Sequence, residues 1–341
     1  MIPFSRGKLR FNVAKRLSSS YALMPTNGSC GWYFVALVIT ACTNRKRKPV
    51  TGNLRVASLP QANLPDLASR WCDRLATAKP RFPAAQLYGG RAFKEATAAA
   101  AAMDAQLYVV SAGLGFISAS TEVPSYACTV LLDADDSIAA RVKGSFVRSV
   151  WWKELSRFSP FSEVLRHIIS QSDGLVCAAL SDAYLDMISR ELVELSATDR
   201  CRLRIFTHTP LERIAPALRG FVMPYDDRLD GPDSTMRGTR SDFASRALRH
   251  FVEHVHIAFD NNDAATDSLN VTAMLRDWRY PTRVQRDRCD DDAIRRLINE
   301  HWIMANGSTA RLLRLFRDEL NIACEQGRLA GLVREVGAER S

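Results

Sequence analysis

Residues 33–48 read YFVALVITACTNRKRK, and this stretch decides the fold. Its first half is an unbroken apolar run rich in Val and Ile. A run that does not alternate in polarity is a strand covered on both faces, as in a parallel sheet between helices. From Trp32 to Cys42 it reaches about half the ~20 residues that a membrane-spanning helix needs. Its second half turns small and polar, then strongly basic.

Working outward, three more runs of the same texture appear: residues 106–111 (QLYVVS), 174–179 (GLVCAA) and 202–207 (RLRIFT). Helical segments separate them. Residues 64–75 set Leu64, Leu67, Ala68, Trp71 and Leu75 on one side. Residues 91–103 are Ala-rich, so a helix there lies close to a sheet. Residues 151–170 and 183–195 supply two more. Strand, helix, strand in series predicts an α/β fold with four parallel strands and right-handed crossovers.

The rest of the chain has a different texture. A polar stretch, 226–242, leads into a helix from about Ser241, whose buried stripe is Phe243, Ala247, Phe251 and Val255. Residues 260–270 (DNNDAATDSLN) have the composition of a linker. Beyond them, residues 292–302 and 309–320 read as helices around the turn Ala305-Asn306-Gly307-Ser308, with Ser308 as N-cap. The expected plan is a basic arm (1–30), an α/β domain (31–259), a linker (260–271) and a mainly helical module (272–341). The module is expected to be helix-turn-helix or winged-helix-like.

The 341 residues carry a formal charge of +9. Residues 1–65 hold ten Lys or Arg and no acid, which leaves 36 basic against 37 acidic groups in the remainder. The basicity is therefore local. An acid-free, Ser-containing start is read as a loosely ordered arm; a targeting segment has the same composition. Eight Cys occur without any C-x-x-C pair, which gives no support to zinc-ribbon or thioredoxin readings. Reduced thiols in a cytoplasmic protein are the expectation. The chain lacks G-x-x-x-x-G-K-[ST], G-x-S-x-G and H-E-x-x-H, so phosphate-loop hydrolases, esterases and metalloproteases lose their support. No cofactor and no metal are expected, although His250, His254 and His256 are close in sequence.

In an open parallel sheet, ligands bind outside the carboxyl ends of the strands. After the first strand come Cys42, Thr43 and Asn44, then Arg45, Lys46, Arg47 and Lys48, suited to phosphates. After the second come Ser111, Gly113, Gly115 and then Tyr126, a platform for stacking on a base. After the third come Ser181, Asp182 and Tyr184, and after the fourth Thr207, His208 and Thr209. Each has a plainer reading as well: a solvated charge run, turn glycines, a core tyrosine, and a helix-capping aspartate.

The motifs Cys42-Thr43-Asn44-Arg45-Lys46, Ala85-Gln86-Leu87-Tyr88-Gly89-Gly90, Ser111-Ala112-Gly113-Leu114-Gly115 and Pro124-Ser125-Tyr126, in that order, resemble the glycosylase-like domain of archaeosine synthases. More distantly, they resemble uracil-DNA glycosylases. The resemblance spans about residues 32–256. It implies a three-layer α/β/α sandwich around a four-stranded parallel sheet. It extends to phage-defence DNA glycosylases that remove glucosylated hydroxymethylcytosine from viral DNA.

What the resemblance implies about residues is limited. Asn44 matches the position that holds water at the sugar. The loop has no acid, and the family's late His-containing loop has no clear counterpart; Asp226, Asp227, Arg237, Arg240 and Asp242 occupy that region. The expected assignment is Asn44 with Asp226 or Asp227 in catalysis. Substrate would be held by Cys42, Thr43, Ser111, Gly113, Tyr126, Asp182, Arg237 and Arg240. Duplex DNA would be held by Arg45, Lys46, Arg47, Lys48, Arg311, Arg314 and Arg317. Two rivals stay open: a tRNA base-modifying enzyme, and a non-enzymatic DNA-binding regulator built on the C-terminal module. No membrane partner is expected, and the oligomeric state is open.

Overall fold

The computed structural model describes residues 35–132, 134–256, 263–282 and 285–340. The basic arm lies outside them, as do residues 33 and 34 of the first strand. The elements run β1 (Leu37–Ala41), α1 (Leu64–Thr77), β2 (Arg81–Pro83), α2 (Ala84–Leu87), α3 (Arg91–Ala102), β3 (Gln106–Ser111), β4 (Gly115–Ser118) and β5 (Glu122–Pro124). There follow α4 (Arg148–Phe158), α5 (Leu165–Gln171), β6 (Val176–Ala179), α6 (Asp182–Val193), α7 (Ala197–Cys201), β7 (Leu203–Phe206), α8 (Phe243–Phe251) and α9 (Ala264–Leu275). The C-terminal part adds β8 (Asp287–Arg288), α10 (Asp291–Glu300), α11 (Trp302–Ala305), α12 (Thr309–Asp318), β9 (Ile322–Ala323) and α13 (Gln326–Glu339).

The central sheet has the order β4-β3-β1-β6-β7. The four expected strands are present and parallel to one another. Side chains alternate between two cores, as strand geometry demands. Leu37, Ile39, Val176, Ala178, Leu203 and Ile205 face a layer containing Trp71, Trp151 and Ile188. Val38, Cys177, Ala179 and Phe206 face a layer containing Ala96, Ala99, Ala100, Ala247 and Phe251. The architecture is therefore three-layered, α/β/α. Alanines of α3 pack under α8, and Phe243, Ala247, Phe251 and Val255 form the expected buried stripe, which continues through a wider π turn at Val252–His256.

Three expectations change. The sheet has a fifth strand, the antiparallel edge β4, paired with β3. The stretch 151–170 is two helices, because Ser159 precedes Pro160 and is extended. The break is used: Ser162 Oγ accepts from the Phe116 N–H and the Glu163 N–H donates to the Phe116 carbonyl, which covers the sheet edge. The stretch 260–271 is not a linker over its described part. Asp263 caps α9, and Ala264, Val271 and Leu275 enter the core. Asp267 pairs inside with Arg204 of β7 at 2.5 Å, with both side chains almost fully buried. Its polar sequence concealed a buried ion pair.

Helices α10 to α13 close on their own apolar cluster, including Ile294, Ile298, Leu312, Phe316, Leu329 and Val333. Ser308 precedes α12, but its side chain caps nothing. The module's strand pair among the described residues, β8–β9, is parallel and two residues long, unlike the antiparallel wing of a winged helix. No helix of the described residues is long and apolar enough to cross a membrane.

Candidate functional site

The chain moves from β1 to β3 on one side, then crosses to β6 on the other, so the direction of winding reverses at β1/β6. A crevice is expected outside the carboxyl ends there. A cavity of about 530 Å³ opens at that place. Its walls come from residues 40–45 after β1, from Ser181, Asp182 and Tyr184 after β6, and from His208 and Thr209 after β7. Arg91, Arg213, Arg240 and Asp242 add charge.

The first turns of three helices also line it. Neither Gly90 before α3, Ser181 before α6 nor Asp242 before α8 offers a side-chain acceptor to the first-turn N–H groups. By contrast Asn63, Asp263, Asp290 and Glu325 cap α1, α9, α10 and α13. Open helix N-termini favour anions. Several charges of the cavity are already matched: Arg213 pairs with Asp182 at 2.7 Å, Arg91 with Glu95 at 3.0 Å, and Asp242 with the buried Arg246 at 2.6 Å. Arg45 and Arg240 make no ion pair among the described residues, which leaves the cavity electropositive.

Of the expected site residues, Cys42, Thr43, Asn44, Arg45, Asp182 and Arg240 meet in this cavity. Asn44 is exposed, and Cys42 Sγ lies 3.2 Å from the Tyr184 hydroxyl. Burial pushes the Tyr184 phenol well up, so it stays protonated at neutral pH.

The expectations for Ser111, Gly113 and Tyr126 do not hold. The turn from β3 to β4 is buried, not a ligand loop. Ser111 Oγ accepts from the Gly113 and Leu114 N–H groups and lies 2.5 Å from the Tyr126 hydroxyl. Trp71 and Trp151 donate to the carbonyls of Gly113 and Ala112. The Tyr126 ring is fully buried and rests on Gly113, where a Cβ would come within 2.6 Å of it. Gly113 is required by core packing, and Tyr126 has no free face for a base.

The basic loop also divides. Lys46 turns inward, donating to the Thr43 carbonyl, with Nζ 5.0 and 4.5 Å from the Tyr88 and Tyr126 rings. Burial lowers its pKa, against the opposing pull of the thiols of Cys42 and Cys128. Lys48 lies over Phe82. Of the four charges, the exposed Arg45 and Arg47 remain for a polyanion.

Asp226 leaves the catalytic set. It caps the short turn Asp227–Asp230 and binds Arg228 and Tyr280. Burial raises its pKa, but the Arg228 guanidinium and N–H and the Tyr280 hydroxyl outweigh that and hold the carboxyl below its usual range. Arg237 is outside the cavity, tied to the carbonyls of Pro232 and Ser234. Asp227 reaches the cavity through a residue without an assigned role: His208 Nε2 lies 2.8 Å from Asp227 Oδ1. The His208 ring stands edge-on to Phe243, and its Nδ1 is enclosed without a hydrogen-bond partner. Sequence placed His208 after a strand but gave no sign of a carboxylate partner 19 residues on.

Arg311, Arg314 and Arg317 all project to solvent from α12. The His250 and His254 rings lie 4.6 Å apart, tilted by 50°, but no group of three or more His, Cys, Asp or Glu among the described residues is placed to hold a metal ion. In comparisons with known proteins, no family model, no curated protein and no solved structure matches this chain.

Proposed function

We propose that the chain is a DNA glycosylase that hydrolyses the N-glycosidic bond of a modified base and leaves an abasic site. The observation that carries this reading is the His208–Asp227 pair and Asn44 converging on one electropositive cavity at the strand ends. The cavity lies in the ordinary size range of small-ligand sites, which suits a flipped-out nucleotide.

The reaction breaks the C1′–N bond, adds water at C1′, and moves one proton from that water to the departing base. Asn44 positions the water through its side-chain amide. The proton passes through solvent, and the Asp227 carboxylate, held by His208 Nε2, sets negative charge beside the developing sugar cation, with His208 as its positioning residue. Arg45, Arg240 and the open helix N-termini hold the phosphates flanking the extruded sugar. The Cys42–Tyr184 contact forms a hydrogen-bonding wall for the base.

Bulky pyrimidines such as glucosylated hydroxymethylcytosine in phage DNA are the first substrates to try, in a role of antiviral defence. Incubation with such DNA followed by alkali should give strand breaks at the modified positions. Intact DNA across a panel of modified bases, with tight DNA binding that survives Asn44→Ala, would favour the non-enzymatic regulator instead. Release from tRNA and not from DNA would favour the RNA-modifying reading.

A further inference from the structure

The C-terminal module has a second concavity, of about 590 Å³, that shares no residue with the cavity above. Arg286, Arg288, Arg317 and Arg328 surround it, with Cys289, Cys324 and Glu325. The β8–β9 pairing creates the convergence. It sets Arg288 opposite Ala323, while Arg317 stands at the end of α12 just before β9, and Arg328 lies in the first turn of α13.

Three of these guanidiniums are aimed by backbone carbonyls. Arg286 donates to the Arg317 carbonyl at 3.1 Å, Arg317 to that of Cys324 at 3.3 Å, and Arg328 to that of Cys289 at 2.9 Å. Among the described residues, only Arg328 of the four has a carboxylate partner, Asp291. Glu325 spends its oxygens on the N–H groups of Gly327 and Arg328. Arg286, Arg288 and Arg317 make no ion pair among the described residues, so the four guanidiniums outnumber the nearby carboxylates, Glu325 of the lining and Asp291 on Arg328. A carbonyl-held guanidinium keeps free N–H groups in the fork geometry that suits phosphate.

We propose that this pocket grips the phosphate backbone of duplex DNA. A polyanion is favoured over a single phosphate group by the continuation of the charge. Arg317 belongs both to the pocket and to the exposed row Arg311, Arg314, Arg317, which extends about 9 Å along α12 at 1.5 Å per residue. A row of cations leading into a pocket matches charges that repeat along a strand. This site does not depend on the glycosylase reading, since its readout is binding and not base release.

The test is the salt dependence of full-length protein binding an unmodified DNA duplex, followed by fluorescence anisotropy. Arg288→Gln with Arg317→Gln should make the slope of log K against log salt shallower by about 2, close to one unit per lost phosphate contact. Arg288→Lys with Arg317→Lys should keep the slope. Arg166→Gln with Arg190→Gln, which removes equal charge from α5 and α6, should also keep it. Arg288→Gln alone, at an exposed side chain, should change it by about 1 and guards against misfolding of the double variant. An unchanged slope in the Arg288/Arg317 double variant would overturn the proposal, as would an equal loss in the Arg166/Arg190 variant. So would a phosphoserine peptide that binds through Arg288 and Arg317 while duplex binding is indifferent to them.

Discussion

Two loops at carboxyl ends of the same sheet have opposite fates. After β3, every polar group is used inside the protein: Ser111 serves two backbone N–H groups and Tyr126, and two tryptophans take the turn carbonyls. After β7, His208 stands on a cavity wall with one ring nitrogen held by Asp227 and the other unpartnered. The difference follows from the neighbours. β3 folds straight back into the antiparallel β4, so its end is consumed by a hairpin. β1, β6 and β7 lead into crossover helices or long loops, and their ends stay open. A strand end becomes a site only where the chain departs from the sheet.

The sharpest way to break this contrast is Tyr126→Ala. If the ring is core, its loss costs about 3–5 kcal/mol of stability, read from the urea midpoint. Tyr126→Phe should cost about 1 kcal/mol and leave activity on modified DNA close to wild type. A stable Tyr126→Ala protein with lost activity would return Tyr126 to the substrate.

The buried histidine of α8 gives the next test. His250 is buried against Tyr225, and desolvation, with His254 4.6 Å away ring to ring, depresses its pKa to about 4. The unfolded chain takes up this proton first, near pH 6.5. The stabilisation from keeping His250 neutral is therefore full above that pH and is lost as pH falls toward 4, by about 3 kcal/mol. Urea midpoints at neutral and acid pH should converge less steeply for His250→Gln than for wild type.

The smallest effects belong to the open cations. Arg45→Gln and Arg240→Gln should each raise KM about tenfold, as expected for a charge-assisted phosphate contact. Stability should stay within about 0.5 kcal/mol. A loss of stability instead would place these side chains on the core side of the contrast.

Much of the fold was legible because burial on both faces makes strands uniformly apolar. Residues 106–111 match β3 to the residue, and α3 and α6 begin within one position of their expected starts. What stayed hidden was polarity used internally. Asp267 made a core helix read as a linker, and Gly113 and Gly115 made a hairpin read as a ligand loop. Of the residues lining the cavity, Cys42, Thr43, Asn44, Arg45 and Asp182 were legible from position at strand ends, and Arg240 only through the resemblance. Lys46 and Lys48 were not, because a basic run gives no sign of which side chains lie across aromatic rings. His208 and Asp227 were separately visible, and only the fold joins them.

The most direct test of the central claim is base release from DNA carrying glucosylated hydroxymethylcytosine and related bulky bases, followed as alkali-labile sites. Wild-type protein should cut this DNA. Asn44→Ala and His208→Gln should each lose about 10²–10⁴-fold in rate while melting and binding DNA as wild type does. Undiminished cutting by both variants, or no cutting by wild type on any modified base offered, would contradict the account.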